Sequence, residues 1–136
     1  MNRTLLLAYQ WLTGLSDTST GLLLIMAPGL TLTLMGVPAP AGQLVYIGYI
    51  GAFVLGVGLC CLYGVRLILR GDTGRQLGTV WLLTAVLRAS VAAFVAQQVM
   101  TGALSSGWIG VAGFDGACVA IQAAGLWKGW VKYAAR

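Results

Sequence analysis

Histidine is absent from this 136-residue chain. No bis-His haem, His-ligated chlorophyll or His-based metal site can be built from this chain alone. Charge is scarce too. Only 8% of the residues are charged, against about 25% in an average soluble domain. Cysteine is confined to Cys60, Cys61 and Cys118, none at metal-site or C-x-x-C spacing. They read as small packing residues. No nucleophile stands with a base, and no metal set exists, so a membrane enzyme acting on lipid or quinone is the least supported function class.

What remains is apolar. Hydrophobic residues make up 59% of the chain, and the mean hydropathy is +0.88. A soluble fold of that hydropathy would need a larger core than this length can build. The chain therefore belongs to the membrane class. Its net charge of +5 could suit nucleic acid, but the basic residues cluster at the ends of apolar runs. That pattern encodes membrane topology and is no nucleic-acid patch.

Four segments approach the roughly 20 residues that a bilayer demands. They lie at about 5–27, 43–65, 77–99 and 108–127. The first carries Gln10, Thr13, Ser16 and Asp17 and no A-x-A site follows it, so it reads as a retained span and not a cleaved signal. Short connections make consecutive spans antiparallel neighbours. The expected fold is an all-α integral membrane four-helix bundle in a single domain over residues 1–136.

The loops agree on orientation. Arg66, Arg70 and Arg75 lie between spans two and three, Arg3 precedes span one, and Lys128, Lys132 and Arg136 follow span four. The loops at 36–42 and 100–107 carry no charge. The positive-inside rule then puts both termini in the cytoplasm, as in a bacterial inner membrane. Trp81, Trp127, Trp130 and Tyr133 fall where the cytoplasmic interface should be, and Tyr46 and Trp108 near the outer one, as an aromatic belt would. Between spans one and two, Pro28 and Gly29 can end or kink the helix. "LTLTLM" is too short to span and suits a surface helix or an extended segment. Pro38 and Pro40 make a stiff turn.

Small residues recur every four positions in span two: Gly48, Ala52, Gly56, Cys60 and Gly64, with Gly51 and Gly58 broadening the row. Span four repeats this with Ala112, Gly116, Ala120 and Ala124, and span three adds Ala85, Ala89 and Ala93. Such rows let helices approach closely in lipid. They are expected to pack the bundle; the alternative is that one ridge faces another subunit.

Three ionisable residues lie well inside the spans: Asp17, Arg88 and Asp115. At about 1.5 Å per residue their depths are roughly 15, 18 and 10 Å from the outer end. An unpaired arginine at the membrane centre costs about 2.5–3.5 kcal/mol on the mildest scale. Arg88 is therefore expected to pair with Asp115, Asp17 or both, its planar fork being able to hold two carboxylates. If both acids ionise, the triad carries a charge of −1, so one acid is expected to hold a proton, or a proton moves. Gln10, Thr13, Asp17 and Thr20 form one helical stripe, Cys118 and Gln122 continue from Asp115, and Thr84 lies one turn from Arg88. This polar network should face the bundle interior.

The stretch "GLLLIMAPGLTLTLMGVP" (21–38), the glycine-rich second span, the arginine in the third and the short loops resemble the small four-helix membrane proteins of the DoxX-like and DUF4345-like class. The resemblance implies an accessory or quinone-side subunit, associated with quinone-linked oxidation of sulfur compounds or assembly of redox complexes. No cysteine pair lies on the outer side for thiol oxidation.

The function expected from all this is a non-catalytic membrane subunit of a larger respiratory or photosynthetic complex. Its partners would be the bilayer and other membrane subunits or a second copy. No cofactor would be ligated by this chain alone, although a quinone or lipid could be bound. The alternative is a small proton-coupled transporter or channel that uses Asp17.

Overall fold

The computed structural model describes residues 2–38, 42–72 and 74–133, with backbone alone for residues 132 and 133. Pro40, Arg136 and the side chains of Lys132 and Tyr133, all used above, lie outside the described residues. Within them the chain is helical: α1 (Arg3–Met26), α2 (Pro28–Leu34), α3 (Leu44–Arg70), α4 (Arg75–Met100), a 3₁₀ turn (Ser106–Trp108), α5 (Ile109–Trp127) and α6 (Trp130–Tyr133).

Local sequence sets each boundary. Asn2 caps α1, its side chain accepting the Leu5 N–H at 2.9 Å. A residue before proline is pushed out of the helical region, and Ala27 ends α1 with φ −143° and ψ 60°. Pro28 then opens α2 at its first position, where a missing N–H costs nothing. The "LTLTLM" segment is thus a short helix. Thr31 and Thr33 donate back to the carbonyls of Ala27 and Gly29, each at 2.9 Å, so their hydroxyls are satisfied within the turn. The second span outruns its apolar run by five residues and carries Arg66 and Arg70 on the helix. It stops where the first left-handed residue becomes available: Gly71 at φ +76°, with Asp72 N–H bonded to the Leu67 carbonyl at 2.9 Å.

Among the described residues three helices are long and apolar enough to cross a membrane: α3, α4 and the segment Ser106–Trp127. Helix α1 has the length, but with its polar cluster from Gln10 to Thr20 it does not reach the hydropathy of a span.

The helices pack most extensively as two pairs, α1 on α3 and α4 on α5, with a sparser contact between α3 and α4. A core of buried side chains closes each end. At the basic end Leu6, Leu67, Ile68, Leu77, Trp81 and Val131 pack together. There the Arg3 guanidinium donates to the Ile68 carbonyl at 3.2 Å, and Gly74 N–H donates to the Val131 carbonyl at 2.9 Å. At the uncharged end Leu24, Leu32, Val37 and Ile47 form the second core, with Trp108 against it.

The packing ridges differ from the expected rows. Glycines seven residues apart make the α1–α3 contact. A Cβ on Gly21 would lie 2.5 Å from Leu55 N, and one on Gly58 would lie 2.5 Å from Thr18 N. Gly14 and Gly51 are similarly closed in, by Leu62 and by Leu24. The four-residue row turns away from this seam. Gly48 is half-buried and Gly64 buried, but Ala52, Gly56 and Cys60 between them are exposed. The reason is helical geometry. A long contact at a shallow crossing follows a seven-residue period, while a four-residue row winds off the seam. On α5, Ala112 is buried, Gly116 and Ala124 are half-buried, and Ala120 is exposed. On α4 only Ala85 of the row Ala85, Ala89 and Ala93 is buried.

The aromatic belt also needs one correction. Trp81 is 0% exposed and belongs to the core at the basic end. Its position in sequence matches an interface, but its helix face points inward. Trp127 and Tyr46, 90% and 70% exposed, do stand at the surface near the two ends. Trp108 and Trp130 are half-buried.

Candidate functional site

Arg88 occupies the centre of the molecule and is 3% exposed. Its forked guanidinium reaches both acids. Nη1 donates to Asp115 Oδ1 at 2.5 Å, and Nη2 donates to Asp17 Oδ2. One arginine therefore ties α1 to α4 and α4 to α5. Asp17 is buried and Asp115 half-buried. The ring of Phe114 lies 5.4 Å from the guanidinium carbon, adding a cation–π contact where water is excluded. Arg88 Nε is buried and has no partner among the described residues.

The three depths come together because of how the helices run. Asp17 is fourteen residues into α1, Arg88 thirteen into α4 and Asp115 six into α5. Helices α1 and α5 run oppositely, and the reach of the arginine side chain covers the remaining offset.

The accompanying polar residues separate into two groups. Gln10 leaves the triad and donates to the Cys61 carbonyl of α3 at 3.3 Å. Thr13 donates to its own helix, to the Tyr9 carbonyl at 2.9 Å. Gln122 and Thr84 form a second cross-link between α5 and α4, the amide donating to the hydroxyl at 2.7 Å. Thr84 in turn donates to the Val80 carbonyl at 2.7 Å. Thr20 is half-buried and does not bond to Arg88. Cys61 and Cys118 are buried and Cys60 is exposed, all three as free thiols.

Several residues that complete this interior carry no strong sequence signal. Tyr9 packs its ring 5.3 Å from that of Trp81, and its hydroxyl points at the Cys118 carbonyl at 3.5 Å. It thus bridges α1 to both α4 and α5, one turn before Thr13. Gly125 makes room for the Trp81 ring, which a Cβ there would overlap. Gly14 and Gly21 were visible only as a seven-residue spacing within a polar stretch.

With the geometry in hand, comparison adds no relative: no family model matches the chain, and neither a curated protein nor a solved structure does. The chemistry must be read from the site itself. A guanidinium held by two carboxylates neutralises most of the intramembrane charge and offers no nucleophile. Its evident capacity is to join helices.

Proposed function

We propose that this chain is a four-span integral protein of the bacterial cytoplasmic membrane, with both termini inside, that serves as a non-catalytic subunit of a larger membrane complex. The observation that carries this reading is the Arg88 fork. All three charged groups deep in the spans are engaged: Arg88 meets Asp17 across the boundary between the α1–α3 and α4–α5 pairs, and Asp115 within the second pair. Such a cluster fixes which helices are neighbours and in what register.

Helix α1 joins the other three as a span in this reading. Its polar residues Gln10, Thr13 and Asp17 are buried, while Leu5, Leu12, Leu15, Leu22, Leu23, Ile25 and Met26 are exposed. Its outward face is mostly apolar, with Ser16 and Ser19 exposed among these residues. The inside location of both termini rests on the positive-inside rule applied to Arg3, Arg66, Arg70, Arg75 and Lys128.

Membership of a complex is supported by the outward faces of α3, α4 and α5. Each presents small residues beyond what packing within the chain uses. A redox complex with quinone or lipid beside this subunit is the setting that the DoxX-like resemblance suggests. The proton-coupled transporter is favoured less, because Asp17 is occupied by Arg88 and a buried cation repels cationic substrates.

Gentle detergent extraction from the native membrane, followed by mass spectrometry of what co-migrates, tests the proposal. A fixed, stoichiometric set of other membrane subunits is expected. Migration alone, together with proton-coupled flux in proteoliposomes that Asp17→Asn abolishes, would overturn it.

A further inference from the structure

A cavity of about 350 Å³ opens at the basic end of the molecule. Its wall is one face of α3, with Tyr63, Arg66, Leu67 and Arg70 spaced at helical intervals, and Asp72 and Gln76 close it from the turn and the first turn of α4. Two guanidiniums thus face a single carboxylate. Among the described residues neither arginine forms an ion pair with Asp72 or any other acid.

A second feature adds to the positive field. Helix α4 runs 26 residues and begins at this cavity, and its N-cap, Gly74, supplies no side-chain cap. Its first-turn N–H groups therefore lack intrahelical acceptors and carry the positive end of a long helix dipole. Phosphate groups suit such a site, particularly with arginine forks beside it.

The surface leading away from the cavity fits the other half of an amphiphile. Below Tyr63 on α3 lie Leu59, Cys60, Gly56 and Ala52, all exposed. A Cβ added to Gly56 would meet nothing within 4 Å. From Arg66 to Ala52 this strip is about 21 Å long at the helical rise, enough to cross one leaflet of about 15 Å. Ala52 and Gly56 keep part of this strip low on a helix face that packing within the chain does not use.

We infer that the cavity binds the phosphate of an anionic phospholipid, with an acyl chain lying along the Ala52–Gly56–Leu59 strip. Arg66 and Arg70 hold the phosphate oxygens, the Gln76 amide adds a neutral donor, and the start of the α4 dipole adds to the positive field. The excess of positive charge selects against a headgroup that carries its own cation. Free inorganic phosphate shares the headgroup chemistry but has nothing to place on the strip.

The test is native mass spectrometry of the full chain purified in mild detergent and titrated with phosphatidylglycerol, phosphatidylcholine or inorganic phosphate. Phosphatidylglycerol is expected to bind about tenfold more tightly than phosphatidylcholine. Arg66→Gln/Arg70→Gln should remove about tenfold or more of that affinity, since each surface cation contributes on the order of a fivefold change. Gly56→Leu should weaken the lipid several-fold while leaving the cavity intact. Lys128→Gln, which removes a positive charge outside the cavity, should change nothing. Equal uptake of both lipids would overturn the inference. So would an unchanged double variant of normal helicity, an equal loss in Lys128→Gln, or displacement of the lipid by inorganic phosphate.

Discussion

At the scale of single residues, the arginine in "TAVLRASVAAF" is the point on which the interior turns. Buried ion pairs give modest net stability, because desolvation consumes most of the attraction. Removing one member is a different matter, since it strands the others. Arg88→Gln leaves Asp17 and Asp115 facing each other without a cation, and should cost about 3–5 kcal/mol. Arg88→Lys should recover only part of this, because an ammonium cannot present two parallel forks to two acids. The neutral triple variant Asp17→Asn/Arg88→Gln/Asp115→Asn should be more stable than Arg88→Gln alone, as it strands no charge. Unfolding followed by helicity during titration with a denaturing detergent orders these four proteins. An Arg88→Gln variant as stable as the parent would remove the clamp from the account. The pairing was legible in the sequence because an intramembrane charge must find a partner and only two acids lay at a compatible depth. That the fork takes both was open until the helices were placed. Tyr9 and Phe114 were not legible, because an aromatic residue in an apolar run has no signature that separates a bridge from a lipid-facing ring. Trp81 misled for the same reason: its distance from the span end suited an interface, and only the helix face revealed a core residue.

At the scale of elements, the two glycine periods on α3 make opposite demands. The seven-residue set closes the α1–α3 seam, with Gly21 against the backbone of Leu55 and Gly51, and Gly58 against Thr18. Backbone cannot move aside as a flexible side chain can, so Gly21→Val and Gly58→Val should destabilise the protein by about 1–3 kcal/mol or more. Gly56→Val, on the open face, should stay within about 0.5 kcal/mol of the parent. Thermal unfolding in one detergent compares all three, and a Gly56→Val as damaging as Gly21→Val would reverse the assignment of faces. Gly125→Val tests the α4–α5 pair in the same way. It must push the Trp81 ring from its place, which a shift in tryptophan fluorescence would report, although Trp11, Trp108, Trp127 and Trp130 contribute background. Sequence reading found the rows but favoured the wrong period on α3. A four-residue spacing is the more conspicuous pattern, yet the seam obeys the geometry of two long helices crossing at a shallow angle. The end of α1 was more readable, because Pro28 acts locally and owes nothing to the partner helix, whereas α3 runs five residues past its expected end to the Gly71 cap.

At the scale of the whole molecule, the question is whether α1 crosses the membrane. By composition it falls short of the other three helices, and by sequence it was a span interrupted by polar residues. The fold reconciles these. Gln10, Thr13 and Asp17 are buried against the other helices, whereas Leu5, Leu12, Leu15, Leu22 and Leu23 are left outside. An averaged hydropathy cannot see this, because it counts a buried aspartate against a face that lipid never meets. If α1 spans, Asn2 and Pro38 lie on opposite sides, since α2 is too short to return the chain across the bilayer. If α1 instead lies on the surface, both are on the same side. Cysteine substitutions in a background lacking Cys60, Cys61 and Cys118 separate the two cases in spheroplasts of a bacterial host. A membrane-impermeant maleimide should label Pro38→Cys and Ser105→Cys in sealed spheroplasts. It should label Asn2→Cys and Asp72→Cys only after permeabilisation. The last pair carries the most weight, because Arg3 donates to the Ile68 and Leu69 carbonyls near Asp72. The start of α1 and the end of α3 therefore share one end of the molecule and must be labelled alike. Labelling of Asn2→Cys from outside, with Asp72→Cys protected, would contradict that contact and the four-span topology together.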